Sequence, residues 1–160
     1  MSTNHLVSDR PGKPYKGIAM EGVIARWYAK NGGRVSEQIV IVKKIKEALP
    51  TGGDVLEVAP GPGYLAIELA SSHIYKVTGL EISKTFIEIA QANARQANVT
   101  VDFRHGNASE MPLEDNTFDF IVFFNLYSTT FLAWFRKQGT SLKQDFRTIF
   151  QVFSILIIRY

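Results

Sequence analysis

The sequence contains no cysteine among its 160 residues. This absence excludes disulfides, thiolate metal sites and a cysteine nucleophile, and it is typical of a cytoplasmic protein. Long apolar runs are also lacking: the stretch 149–158 is interrupted by Gln151 and Ser154 and is too short to span a bilayer. The first residues are polar and show no signal peptide. We therefore expect one cytoplasmic domain with no transmembrane segment.

Excess positive charge is missing from most of the chain. The net charge is +3, but residues 1–120 hold 13 basic and 14 acidic residues, a net of −1. The excess lies in residues 121–160, which hold five basic residues and one acid. A nucleic-acid-binding domain places its basic residues on one face or along one helix. We therefore expect no nucleic-acid partner, and the composition does not predict the oligomeric state.

Several catalytic signatures are absent. The chain has no G-x-S-x-G elbow, no phosphate-loop lysine and no cluster with metal-ligand spacing. The three histidines, His5, His73 and His105, fall where loop or surface positions are expected. Tyr15, Tyr127 and Asp119 also show no pattern that assigns them a role. The catalytic residues therefore stay unknown, and no metal is expected.

What is present is an alternation of strand and helix patterns. Strands are expected over 55–58, 77–82, 101–104 and 118–124, and helices over 17–30, 36–49, 64–70 and 84–98. Ser36 and Ser83 are expected to cap the second and fourth helices. Alternation with short connections predicts an α/β fold with a mostly parallel sheet between two helical layers.

The most informative stretch is DVLEVAPGPGYLAIELA, residues 54–70. Gly61, Gly63 and Ala66 match the G-x-G-x-x-G/A pattern between a strand and a helix. Glycine lets the backbone approach a nucleotide-like ligand closely, and a helix start favours such a ligand. A sharp strand-to-helix turn without a ligand is the alternative, because a lone match of this kind is weak.

Three further features narrow the choice of ligand. Glu57 precedes the turn, where its carboxylate would repel a pyrophosphate and attract an ammonium group. Glu81 ends the second strand, where its two oxygens suit ribose hydroxyls. Asn107 and Ala108 follow the third strand, where an amide and a small apolar wall would lie beside an adenine. Each of these features could also occur in a strand end or turn that binds no ligand. It is their order and spacing along the chain that favour a cofactor-binding site.

In these motifs the chain resembles the class I S-adenosylmethionine-dependent methyltransferases, in particular the group with quinone- and sterol-type C-methylating enzymes. The motifs are LEVAPGPG, GLEIS, GNASEMP and FDFIV, in that order, and KGIAMEGVIARWY resembles a cofactor-covering segment. The resemblance covers about residues 15–124. It implies a Rossmann-like fold with strand order 3-2-1-4-5, S-adenosylmethionine as the cofactor and a small-molecule methyl acceptor.

The resemblance also implies roles for single residues. Glu57 and the turn of Ala59, Pro60, Gly61 and Gly63 would hold the methionine end of the cofactor. Glu81 would bind the ribose, Ile82 would pack on the adenine, and Asn107 and Ala108 would flank that ring. Phe124 and Asn125 would lie near the sulfonium, and Tyr28 would close over the site. The chain departs from the family at Ala59, where glycine is commoner, and at Asn107, where aspartate is commoner. Ala59 must have φ below zero or accept strain.

The resemblance stops near residue 125. No proline follows Pro112, Gly139 is the only glycine beyond Gly106, and Asp145 is the only acid of the tail. Family members continue through a helix, a fifth strand behind a Leu-Lys-Pro-Gly-Gly-like turn and two more strands. We expect a flexible segment over 1–16, the cofactor-binding core over 17–125 and an atypical tail over 126–160. The tail is either a truncated or frameshifted product, or a genuine helix over 132–143 and strand over 148–158.

These observations predict an S-adenosylmethionine-dependent methyltransferase whose C-terminal strands are missing. Because elements that wall in the acceptor are then absent, we expect weak cofactor binding and weak or lost methyl transfer. Two alternatives stay open. One is a nicotinamide-dependent oxidoreductase, against which Glu57 argues. The other is a non-catalytic cofactor-binding or interaction fragment, whose basic aromatic tail would dock a partner.

Overall fold

The computed structural model describes residues 19–31, 35–108, 117–124, 149–152 and 155–159. These residues form four helices and six strands. In chain order they are α1 (Gly22–Asn31), α2 (Val35–Ala48), β1 (Gly53–Val58), α3 (Tyr64–Ala70), β2 (Tyr75–Glu81), α4 (Lys84–Gln96), β3 (Asp102–His105), β4 (Phe120–Phe124), β5 (Ile149–Val152) and β6 (Ile155–Arg159).

The six strands form one sheet with the order β3-β2-β1-β4-β6-β5. The first four in this order are mutually parallel, which confirms the Rossmann-like α/β prediction and the order 3-2-1-4. Beside β4 the structure has two short strands, whereas the genuine-tail alternative expected one strand over 148–158. β6 runs antiparallel to β4, and β5 pairs antiparallel with β6.

A core of apolar side chains lies on one face of the parallel strands. Helices α2, α3 and α4 pack there against Val55, Val77 and Val122. On α2 the apolar residues spaced by four, Ile41, Ile45 and Leu49, are all buried, as their helical period predicts. Burial of one face of each helix holds the carboxyl ends of β1, β2 and β4 side by side, which is where the candidate site lies.

The segment before α1 is attached to the first turn of α4. Ser83 caps α4 as predicted, since its Oγ accepts from the backbone N–H of Phe86 at 3.1 Å. The same hydroxyl donates to the carbonyl of Met20 at 2.6 Å. The Glu21 carboxylate accepts from the backbone N–H groups of Lys84 and Thr85 at 2.9 and 3.0 Å. Glu21, more than 60 residues earlier in the chain, therefore accepts hydrogen bonds from N–H groups in the first turn of α4 that have no partner within the helix.

Other boundaries differ from the sequence prediction by a few residues. Ser36 does not cap α2, because the helix begins at Val35 and includes Ser36. Strand β1 begins two residues earlier than expected: the backbone N–H of Gly53 donates to the carbonyl of Ile74, and the backbone N–H of Asp54 donates to the Asp119 carboxylate at 2.9 Å. The expected helix over 132–143 and the expected flexible segment over 1–16 lie outside the described residues. Within the described helices, none is long and apolar enough to cross a bilayer.

Candidate cofactor site

The turn after β1 is built by backbone hydrogen bonds. The N–H of Gly63 donates to the carbonyl of Pro60 at 3.0 Å, which closes a four-residue turn. Gly61 and Gly63 have φ angles of +54° and +80°. A Cβ on Gly63 would lie 2.7 Å from Phe103 Cζ, whereas a Cβ on Gly61 would meet nothing within 4 Å. Gly63 is therefore required by packing as well as by its conformation, and Gly61 borders open space.

Ala59 also lies in the left-handed region, with φ +58°. The prediction allowed either a negative φ or strain, and the negative φ is wrong. The N–H of Ala59 donates to the carbonyl of Leu80 at 2.9 Å, which continues the β1–β2 ladder one residue beyond β1. The chain must then turn at once to place Pro60 and Gly61. Ala59 therefore keeps a conformation that glycine would adopt without cost.

Glu81 fastens the end of β2 to the glycine turn. Its side chain is 4% exposed. Oε2 accepts from the backbone N–H of Gly61 at 3.0 Å, and Oε1 accepts from the backbone N–H of Ser83 at 2.9 Å. Burial raises the pKa of this carboxyl, while these two hydrogen bonds lower it in part. A carboxylate accepts about four hydrogen bonds, so each oxygen retains capacity for a ligand hydroxyl.

Glu57 is the second buried acid of the site, at 3% exposure. It lies on β1 opposite Gly79 of β2 and Val122 of β4. The backbone N–H of Ala66 interacts with the carboxyl group, but Oε2 has no hydrogen-bond partner. Burial raises the pKa of Glu57 to about 8, and the nearby Glu81 charge adds to the rise. The two acids predicted from the sequence are therefore brought together beside the turn.

The end of β3 supplies the next part of the site. The N–H of Gly106 donates to the carbonyl of Glu81 at 3.0 Å, and the His105 Nε2 lies 3.1 Å from the carbonyl oxygen of Ile82. Asn107 and Ala108 follow and are half-buried, as is Ile82. The structure therefore brings Ile82, Asn107 and Ala108 to the same edge of the sheet as Glu81. His105, to which the sequence assigned no role, supports the backbone at Ile82.

Helix α1 runs along this edge. Tyr28, expected to close over the site, packs edge-to-face on Phe86 of α4, with ring centroids 5.9 Å apart. The Tyr64 hydroxyl donates to the carbonyl of Ala29 at 2.9 Å, which ties the end of α1 to the residue after the glycine turn. Phe124 ends β4 at the same edge, and Asn125 lies outside the described residues.

Two residues of the site region were missed from the sequence. Asn93 of α4 donates through Nδ2 to the carbonyl of Pro62 at 2.9 Å and so supports the turn. Its position three residues after Ala90, on the side of the helix expected to be buried, was the available signal. Glu21 was missed because its partners are distant in sequence. In contrast, Asp119 and His73 lie at the amino ends of β4 and β2. The candidate site lies at the opposite, carboxyl ends of these strands.

Comparison with known proteins shows which family has this architecture. The model of the methyltransferase domain family matches residues 55–145. The chain belongs to this family. It is 33% identical over 84 residues to a ribosomal protein L11 methyltransferase of Dictyoglomus thermophilum, covering 52% of this chain and 27% of that protein. It is 35% identical over 76 residues to a demethylmenaquinone methyltransferase of Bacillus licheniformis, covering 46% of this chain and 32% of that protein. This methyltransferase-family chain thus spans about a third or less of these relatives.

A solved structure shows the same fold. A Methanococcus maripaludis protein described as an S-adenosyl-L-methionine-dependent methyltransferase matches with a TM-score of 0.64 at 24% identity, over 79% of this chain and 61% of its own. Membership of this family indicates S-adenosylmethionine as the cofactor. The residues of the site fit that molecule. Two buried carboxyls suit a ligand with a sulfonium and an ammonium group, and Glu57 Oε2, which has no hydrogen-bond partner, would be free to accept from such a group.

Proposed function

We propose that this methyltransferase-family chain transfers a methyl group from S-adenosylmethionine to a small-molecule acceptor in the cytoplasm. The observation that supports it best is the pair of buried acids, Glu57 and Glu81, on either side of a glycine turn at the carboxyl edge of a parallel sheet. The lack of cysteine supports the cytoplasmic location. Charge balance over residues 1–120 supports an acceptor other than a nucleic acid.

The role of each residue follows from its position. Glu81 would accept the ribose hydroxyls through the free capacity of its oxygens, and Glu57 would accept the ammonium group. The turn formed by Ala59, Pro60, Gly61 and Gly63 would lie along the methionine end of the cofactor. Gly61 borders open space there, since a Cβ at this position would meet nothing within 4 Å. Ile82, Asn107 and Ala108 would border the adenine, and Phe124 would lie near the reacting methyl group.

The bound cofactor supplies an electrophilic methyl group on a positively charged sulfur. The protein's contribution is therefore alignment of the acceptor and exclusion of water. A general base is needed only if the acceptor must lose a proton. Among the described residues no group of three or more histidine, aspartate or glutamate side chains could hold a metal ion. We assign no catalytic residue, because no observation puts any of the described side chains next to the methyl acceptor.

A dinucleotide cofactor fits this site less well. Its pyrophosphate would lie at the turn, beside two buried carboxyls, and like charges in a buried site repel strongly. No ion pair of the described residues supplies either carboxyl with a compensating lysine or arginine. We find no observation that favours the oxidoreductase or the interaction-fragment alternative over methyl transfer.

Calorimetric titration with S-adenosylmethionine tests the proposal. We expect micromolar binding, about −8 kcal/mol, and its loss in Glu81→Ala. Glu88→Ala is the matched control, because Glu88 is an exposed acid on α4 and should leave binding unchanged. A folded wild-type sample that gives no heat with S-adenosylmethionine but binds NADH would overturn the proposal.

A further inference from the structure

The Glu57 carboxyl group is buried without a cation. It projects from the central strand β1 onto the face that α3 covers, and its Oε2 has no hydrogen-bond partner. A buried polar atom without a partner is uncommon in folded proteins and calls for an explanation. An ionised carboxylate in such surroundings is strongly disfavoured, because burial penalises the charged form.

The surroundings of Glu57 oppose its ionisation on balance, since only the Ala66 N–H favours the charged form. From β2 the nearest acid is Glu81, whose charge repels a second negative charge. From β4 the register partner is the apolar Val122, and from α3 the only polar group is the backbone N–H of Ala66. Burial and, to a smaller extent, the Glu81 charge raise the pKa of Glu57, the Ala66 N–H lowers it in part, and the net result is a pKa of about 8. Near neutral pH the group carries a proton.

A cationic ligand group reverses this balance. An ammonium placed against Oε2 stabilises the carboxylate by charge attraction and supplies the missing hydrogen bond. We propose that Glu57 is protonated in the ligand-free protein and loses its proton to the solvent when the amino-acid end of S-adenosylmethionine binds. Cofactor binding is then coupled to the release of one proton. This inference rests on the function proposed above and adds a pH dependence to the same site.

Two consequences are measurable. The apparent affinity for S-adenosylmethionine rises with pH, by up to about tenfold per unit below pH 8, because the ligand-free protein must first lose a proton. The rise levels off near pH 8, where Glu57 is already ionised in part. Burial raises the pKa of Glu81 as well. A proton released from Glu81, the acid proposed to bind the ribose, would appear with any ligand that carries the ribose, whereas release from Glu57 requires the amino-acid end.

Calorimetry of the full chain at pH 7 in buffers with different ionisation enthalpies counts the protons. The slope of the observed binding enthalpy against the buffer ionisation enthalpy should correspond to release of close to one proton per S-adenosylmethionine bound. 5′-Methylthioadenosine is the matched ligand, since it keeps the adenosine and sulfur but lacks the amino-acid end. We expect it to bind with no proton release. S-adenosylhomocysteine keeps the ammonium and lacks the sulfonium, so it should release the same proton.

The variant Glu57→Gln identifies the source of the proton. We expect it to bind S-adenosylmethionine more weakly and with a proton count near zero. Should its binding be too weak to measure, the comparison of the two ligands in the wild-type protein still decides. Binding of S-adenosylmethionine without proton release, or equal release with 5′-methylthioadenosine, would overturn the inference and leave the proposed function intact. Absence of any binding by a folded sample would instead overturn the proposed function.

Discussion

At the scale of single residues, Ala59 is one of three described non-glycine residues with a positive φ, beside His73 and Asn98. Its φ of +58° is a conformation that costs an L-residue with a Cβ roughly 1–2 kcal/mol. We expect Ala59→Gly to raise the free energy of unfolding by about 0.5–1 kcal/mol, since glycine removes this cost but gains entropy in the unfolded chain. Urea denaturation measures the change.

The same substitution in a helix is the control. Ala92 is exposed in the middle of α4, where glycine should lower the free energy of unfolding by about 1 kcal/mol. Opposite signs at the two positions support the strain at Ala59. A loss of stability at both positions would contradict it.

Glu57 makes stability depend on pH. Its pKa is about 8 in the folded protein and near 4.5 when exposed. A raised pKa contributes stability that is fully present below pH 4.5 and is lost as pH rises through 8. We expect the free energy of unfolding of Glu57→Gln to equal that of the wild type near pH 4 and to exceed it by about 5 kcal/mol above pH 8. Denaturation across this range tests the sign, and a constant difference would refute it.

The sequence predicted the acids and glycines of the site but not how they are connected. Glu57, Glu81, Gly61 and Gly63 follow from motif spacing, because each lies at a strand end or turn. That Glu81 binds the N–H of Gly61 could not be predicted, since it depends on the three-dimensional placement of two turns 20 residues apart. The left-handed Ala59 was missed for a related reason: the continued ladder with Leu80 decides it, and propensity alone favours negative φ.

At the scale of elements, α4 depends on residues from outside its own segment. Ser83 is 1% exposed and its Oγ joins Phe86 and Met20. We expect Ser83→Ala to lower the free energy of unfolding by about 1–2 kcal/mol, because the cap is lost and the Met20 carbonyl loses its donor. Ser71→Ala is the control: that hydroxyl is exposed on the last turn of α3 and should change stability little.

Glu21 attaches α1 to α4 by a carboxylate. Hydrogen bonds from the Thr85 side chain and from backbone groups lower the pKa of Glu21. A lowered pKa means that this attachment is present above pH 4.5 and is lost as pH falls through the lowered value. We expect Glu21→Gln to speed amide exchange in residues 22–31 at neutral pH and to leave the sheet protected. Hydrogen exchange with mass spectrometry measures this, and unchanged exchange in α1 would argue against the attachment.

Element type was predicted well where the hydrophobic period was strong. The buried face of α4, with Phe86, Ala90 and Ala94, follows directly from its spacing. The start of α2 and the second strand of the tail were not predicted. Ser36 is a good cap residue, but α2 begins two residues before the start that a cap at Ser36 predicts. Cap preference alone places a helix start only to within one or two residues. The apolar run 149–158 has no obvious turn signal, so it was read as a single strand.

At the scale of the whole molecule, the sheet ends at β5. Its sequence Ile-Phe-Gln-Val is rich in residues that favour strands, and the described strands leave its outer edge unpaired. We expect concentration-dependent association, which Gln151→Lys should reduce, because a charge on an edge strand opposes pairing with another chain. Light scattering over a dilution series measures this. Unchanged association in the variant would show that the edge is not responsible.

Methyl transfer by the chain also belongs to this scale. The sequence predicts weak or lost transfer because it departs from the family pattern beyond about residue 125, where the elements that wall in the acceptor usually follow. This stays a prediction. Incubation with S-adenosylmethionine and a panel of small hydroxyl- or quinone-bearing acceptors, followed by mass spectrometry, should show slow product formation. Rapid turnover on any of them would mean that residues 1–160 already complete the acceptor pocket.

The pairing of β1 with β4 has a consequence for how the protein is made. Asp54 and Asp119 exchange two hydrogen bonds across 65 residues, and Val55–Val58 then pair with Phe120–Phe123. A chain growing on the ribosome completes the β1–β2 pair early, but one side of β1 stays open until residue 123 has been synthesised. During that interval Glu57 and its apolar neighbours face solvent or a chaperone. Contacts over such sequence distances also form slowly in refolding. We therefore expect nascent chains that end before β4 to depend on chaperones, and longer ones to acquire the acidic site abruptly.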